Sequence, residues 1–207
     1  MIRDIVYNDP LTILLFVSFF LIIILKKIDP SLFYLNISLG KKELRNKLNN
    51  SSIGIKLSDI GYKILYVSNL SIFLTFYDNN SFDLQIYFKF LKYISIFYTL
   101  KIFSEIIFAN LFEIQKIIKN YLWSKLFYRY SLGLLILLLN FLIAYSDSIV
   151  FNSILIIFCM IYFIFSYFII FFSMKKLIIK NWFYFILYLC TLEIIPYILL
   201  YNFFISL

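Results

Sequence analysis

Three ionisable residues interrupt stretches of sequence otherwise suited to lipid, and their chemistry has to be explained first. Glu193 stands in the middle of the apolar run Asn181 to Phe204, three residues before Pro196. Lys101 and Glu105 stand in another apolar run, four residues apart and so on one face of a helix. If both runs cross a bilayer, Glu193 lies about 16 Å from the inner boundary, counted from Trp182. Lys101 lies about 15 Å from it, counted back from Leu111, and the two share a depth near the midplane. An unpaired charge there costs on the order of 3 kcal/mol or more. Pairing of Lys101 with Glu105 or with Glu193 is the ordinary solution. The other two are a neutral, merely hydrogen-bonded Glu193 and a proton relay or substrate site. Pro196 removes the donor that would reach the Leu192 carbonyl, which predicts a kink beside Glu193. Tyr197 and Tyr201 follow Glu193 at spacings of four and continue that face.

Other chemistry finds little purchase. The chain has no histidine, which excludes imidazole-based acid–base catalysis and removes the usual ligand of membrane haem and of zinc. Cys159 and Cys190 each lie in an apolar segment and read as buried small hydrophobes. Four glycines, none in a GxxxG pair, supply no phosphate loop and no dinucleotide fingerprint. We therefore expect no catalytic residues, no metal, no cofactor and no enzymatic activity. The net charge of +8 does not point to nucleic acid, because its lysines collect in the loops between apolar runs.

The elements that must position these residues are all helical. At 63% hydrophobic, 14% charged and a mean hydropathy of +0.93, the chain is an integral membrane protein by composition. Six apolar segments are expected as transmembrane helices: 10–27, 59–77, 84–111, 127–145, 149–173 and 182–204. They form one transmembrane domain over 1–207, with a basic loop over 28–58. Alternating strand patterns are missing, and backbone polar groups in lipid must be paired within the segment, which favours an all-α bundle. Lys63, Lys89 and Lys92 lie near helix ends, where their stems reach the interface.

Loop charges orient the bundle. The first loop holds Lys26, Lys27, Lys41, Lys42, Arg45, Lys47 and Lys56, the third Lys116, Lys119 and Lys125, and the fifth Lys175, Lys176 and Lys180. The second and fourth loops and the C-terminal tail have no Lys or Arg. Basic segments face the cytoplasm or matrix, so both termini are expected on the outer side. The stretch Lys41 to Asp59 is basic and modestly amphipathic. It reads first as a solvated connector and second as a surface for an anionic leaflet or a partner.

The block Tyr188, Leu189, Cys190, Glu193, Pro196 in the last helix resembles the closing signature of a Bacteroidota family of multi-pass inner-membrane proteins that carries a domain of unknown function. Lys101 and Gly133 fit the same pattern, and length and helix count agree over essentially the whole chain. The resemblance implies a bacterial inner membrane and no reaction. Three functions are open: an accessory or structural subunit of an envelope complex, a proton- or ion-coupled transporter using Lys101, Glu105 and Glu193, and a hydrophobic respiratory subunit encoded by an organelle, which would place the chain in a mitochondrial inner membrane. The expected partners are the lipid bilayer and other membrane subunits. With single cysteines in place of Asn79, Ser148 or Ser206, an impermeant thiol reagent applied from outside should label the chain. Labelling at Asn50 from outside would overturn the orientation.

Overall fold

The computed structural model describes residues 9–37, 57–79, 82–111, 115–146 and 149–173. The described residues are all-α, with six helices and no strand: α1 Asp9–Ile28, α2 Pro30–Ile37, α3 Leu57–Asn79, α4 Leu84–Leu111, α5 Gln115–Tyr145 and α6 Ile149–Ser173. Among the described residues, two segments are long and apolar enough to cross a membrane, Pro10–Ile28 and Lys125–Tyr145, and Val150–Ser166 is a shorter apolar stretch. The sixth expected helix, 182–204, lies outside the described residues.

Helix boundaries follow local chemistry. Asp29 accepts from the Leu32 amide at 3.2 Å and the Ser31 hydroxyl at 2.7 Å, with Pro30 in the first helical position. That is an N-cap followed by the residue best suited to open a helix. It starts α2 one residue after α1 ends, inside the segment expected as a loop. Asp83 caps α4 in the same way, accepting from the Gln85 amide at 2.8 Å. In α3, Ser68, Asn69, Ser71 and Thr75 interrupt the apolar pattern without breaking the helix. Each side chain donates to a carbonyl of its own helix three or four residues back. The helix expected from residue 127 instead begins at Gln115.

The chain divides into two compact units, Met1–Leu91 with Leu126–Ile164, and Lys92–Lys125 with Phe165–Leu207. The first unit is organised on a seam between α3 and α5. Tyr62 stacks on Tyr130 with ring centroids 5.1 Å apart, Gly133 meets Tyr66, and Asn140 Nδ2 donates to the Asn69 carbonyl at 2.8 Å. Residue numbers rise together on both helices, so α3 and α5 run in the same direction. Helix α1 runs against them: its Leu25 packs with Tyr62 and Tyr130, and its Phe19 ring meets Phe141 farther along α5. The buried positions of α1, Leu11, Leu15, Ser18 and Leu25, follow a heptad stripe.

Gly133 and Gly61 set different tolerances. A Cβ at Gly133 would lie 3.2 Å from the Tyr66 Cα, which is backbone. A Cβ at Gly61 would come closer, 2.5 Å, but to the Leu25 Cδ2, the end of a flexible side chain. Gly133→Ala must separate two helices, and overpacking of this kind costs about 1–3 kcal/mol. The expected order in thermal unfolding in detergent is Gly133→Ala well below Gly61→Ala, with the latter near wild type.

Candidate functional site

Buried polar side chains gather in two places, one in each compact unit. In the second unit, Lys125 Nζ donates to Glu105 Oε1 at 2.6 Å. Glu105 is 3% exposed and Lys125 1%. Glu105 comes from the last two turns of α4 and Lys125 from the eleventh position of α5. Lys101 lies one turn before Glu105 on α4, is 3% exposed, and is itself engaged in a polar or electrostatic contact. The Ser104 hydroxyl donates to the Lys101 carbonyl at 2.8 Å. Two lysines and one carboxylate are thus buried within a short span of the same unit. Glu193 and Pro196 lie outside the described residues, as does Cys190.

The first unit holds an uncharged polar seam with a charged end. Asp59, Arg129 and Tyr62 act electrostatically on the Tyr130 hydroxyl, which is buried and makes no hydrogen bond among the described residues. Toward the middle of α3 and α5, the Asn140–Asn69 bond links a side chain to a backbone carbonyl, and both asparagines are fully buried. Ser131 of α5 and Tyr162 of α6 share a hydroxyl–hydroxyl bond of 3.0 Å. Cys159 of α6 is a buried thiol. Among the described residues no group of three or more Cys, Asp or Glu is arranged to hold a metal.

Sequence reasoning singled out Glu105 and Lys101 and overlooked the lysine bonded to Glu105. By sequence Lys125 reads as one of the loop lysines that fix topology, whereas α5 already includes it and buries it. The signal was present in the spacing: Lys125 lies twenty residues from Glu105, on the next helix. Asn69 and Asn140 were also overlooked, because a search for charges passes over neutral amides in apolar runs. An Asn inside a membrane segment has few alternatives to a neighbouring helix, and that scarcity was the available clue.

The match of a family model to residues 11–204, which takes in both polar clusters, settles the relationship. The chain belongs to the DUF4271 family, a domain of unknown function. No curated protein and no solved structure matches this DUF4271 chain. The family description carries no activity, so the chemistry rests on the residues above.

What this arrangement does best is hold helices. A buried ion pair gains little over a well-packed apolar pair, but removing one partner strands a charge. Glu105→Leu should therefore destabilise the protein by about 3–5 kcal/mol, and Glu105→Leu combined with Lys125→Leu should recover most of that loss. Denaturant titration of the purified protein in detergent measures both. Equal losses in the single and double variants would remove the pair from the account.

Proposed function

We propose that this chain is a multi-pass protein of a bacterial inner membrane, threaded through six helices with both termini outside, and that it is a structural or accessory subunit of an envelope complex, not an enzyme. The observation that carries the reading is the outward face of α1 and α6. Helix α1 buries one heptad stripe and exposes Ile13, Phe16, Val17, Phe20, Ile23 and Ile24, with Phe16 at 80%. Helix α6 carries no charge and buries Cys159 and Ser166 while exposing Val150, Ile154, Ile157, Ile161, Ile164 and Phe168. Contiguous apolar surface on that scale is not stable against water and suits hydrocarbon or another membrane subunit. The opposed direction of α1 and the shared direction of α3 and α5 support the threading expected from the loop charges.

Two features favour a structural role over transport. The acid on α4 is bonded to Lys125, and the amide at the middle of the seam donates to a backbone carbonyl. Groups so engaged hold an interface together, whereas a relay needs a group that exchanges partners. The Bacteroidota assignment and the inner-membrane location rest on the C-terminal block around Glu193 and Pro196. Affinity purification of the tagged chain from native membranes in a mild detergent tests the role. A stoichiometric set of envelope proteins is expected. Isolation as a solitary protein that moves protons or a solute in vesicles would favour the transporter instead, and co-isolation with electron-transfer subunits would favour a respiratory role.

A further inference from the structure

We infer that the Glu105–Lys125 pair lies at the inner edge of the hydrocarbon core, and that the helical arms beyond it, residues 106–111 of α4 and 115–124 of α5, form a hairpin standing in the phospholipid headgroup layer and the water outside it. The inference rests on the multi-pass reading above and adds a depth and an extramembrane element to it.

Length forces part of the conclusion. Helix α5 has 31 residues, about 46 Å at helical rise, against a hydrocarbon core of about 30 Å. One end must therefore leave the core. Lys116, Lys119, Lys125 and Arg129 all fall in the first half of the helix, while residues 130–145 carry no charge. The end that leaves is the N-terminal one. From Lys125 to Tyr145 the helix rises about 30 Å, the thickness of the core, and puts a lysine at one interface and a tyrosine at the other.

The ion pair then fixes the depth of α4. Because Lys125 Nζ and Glu105 Oε1 are 2.6 Å apart, the two charged groups share one level, and the Glu105 backbone stands within a side-chain length of it. Lys101, one turn farther along, is about 6 Å inside the core instead of the 15 Å obtained by counting from Leu111. At that depth Lys101 stands one turn from the pair, buried by the protein and engaged in a polar or electrostatic contact of its own. The count from Leu111 placed the boundary at the end of the helix, but α4 continues past the boundary. Beyond the pair the two arms extend about 9 Å and about 15 Å, through a headgroup layer of about 5–7 Å. Only residues 112–114 separate the two helices. Lys119, about 9 Å beyond Lys125, falls at the outer margin of the headgroups, where lipid phosphates offer counter-charge.

Spin labels on the full chain, reconstituted in vesicles of phosphatidylethanolamine and phosphatidylglycerol, test the placement. Single cysteines replace Phe103, Ile107, Lys119 or Leu138 in a Cys159→Ser, Cys190→Ser background. Phe103, Ile107 and Leu138 are outward-facing in the native protein, so labels there report surroundings and not packing. Collisions with oxygen mark hydrocarbon, and collisions with a water-soluble nickel chelate mark water and headgroups. Oxygen is expected to dominate at 103 and 138 and nickel at 119, with the change from oxygen to nickel falling between 103 and 107. Oxygen dominance at 107 and 119 alongside 138 would overturn the hairpin while leaving the membrane reading intact. Nickel dominance at all four positions would overturn the membrane reading itself.

Discussion

A polar group enclosed by apolar side chains has no water to return to, and that constraint organises both units of this protein. In the first unit it is met by an amide: Asn140 reaches across to the Asn69 carbonyl and fixes the register of α3 against α5. Asn69 in turn donates its own Nδ2 to the Leu65 carbonyl at 2.8 Å, while the side-chain oxygens of both asparagines are buried and accept no hydrogen bond among the described residues. With that register set, Gly133 falls opposite Tyr66, where a Cβ would lie 3.2 Å from the Tyr66 Cα. Tyr62 and Tyr130 then close the end nearest Asp59 and Arg129, and Leu25 of α1 packs against them. A slip of one residue on either helix would leave the amide without its carbonyl and put a larger side chain where Gly133 now fits.

In the second unit the same constraint is met by charge. Two lysines and an acid are each at most 3% exposed; the Lys125 ammonium sits directly on the Glu105 carboxylate, and Lys101 has a polar or electrostatic contact of its own. The attraction is strong in such surroundings and the desolvation cost is comparably large, so the pair specifies which turns of α4 and α5 face each other more than it adds stability. Neutral amides in one unit and an ion pair in the other perform the same task with different sensitivity to loss of a partner.

Much of this was legible in the sequence. Apolar runs marked α1, α3, α4 and α6 to within two residues at each end, because a long run of Ile, Leu and Phe leaves few other readings. The start of α5 was not legible by the same test. Residues 115–126 mix Lys116, Lys119 and Lys125 with apolar residues, and hydropathy weighs a lysine as loop even where the helix continues. Helix α2 was missed although Asp29 and Pro30 are a sound start signal, since eight residues with no charged stripe do not register in a hydropathy reading. Partner identity was least legible of all. Spacing places Lys101 and Glu105 on one face, but it cannot say that Lys125, twenty residues from Glu105, will be the cation bonded to it.

The heptad stripe of α1 also bears on how the chain assembles as it is made. The contacts that hold α1 in place, Leu25 against Gly61 and Phe19 against Phe141, are with residues synthesised long after it. A helix whose remaining surface is Ile, Phe and Val can enter the bilayer alone and stay there without those contacts. For a chain inserted in a membrane as proposed above, docking would be a second, lateral step that waits for α3 and completes only when the far end of α5 has emerged. The order of insertion would thus be separated from the order of packing, with α1 made before α3 and α5 and fixed only after them.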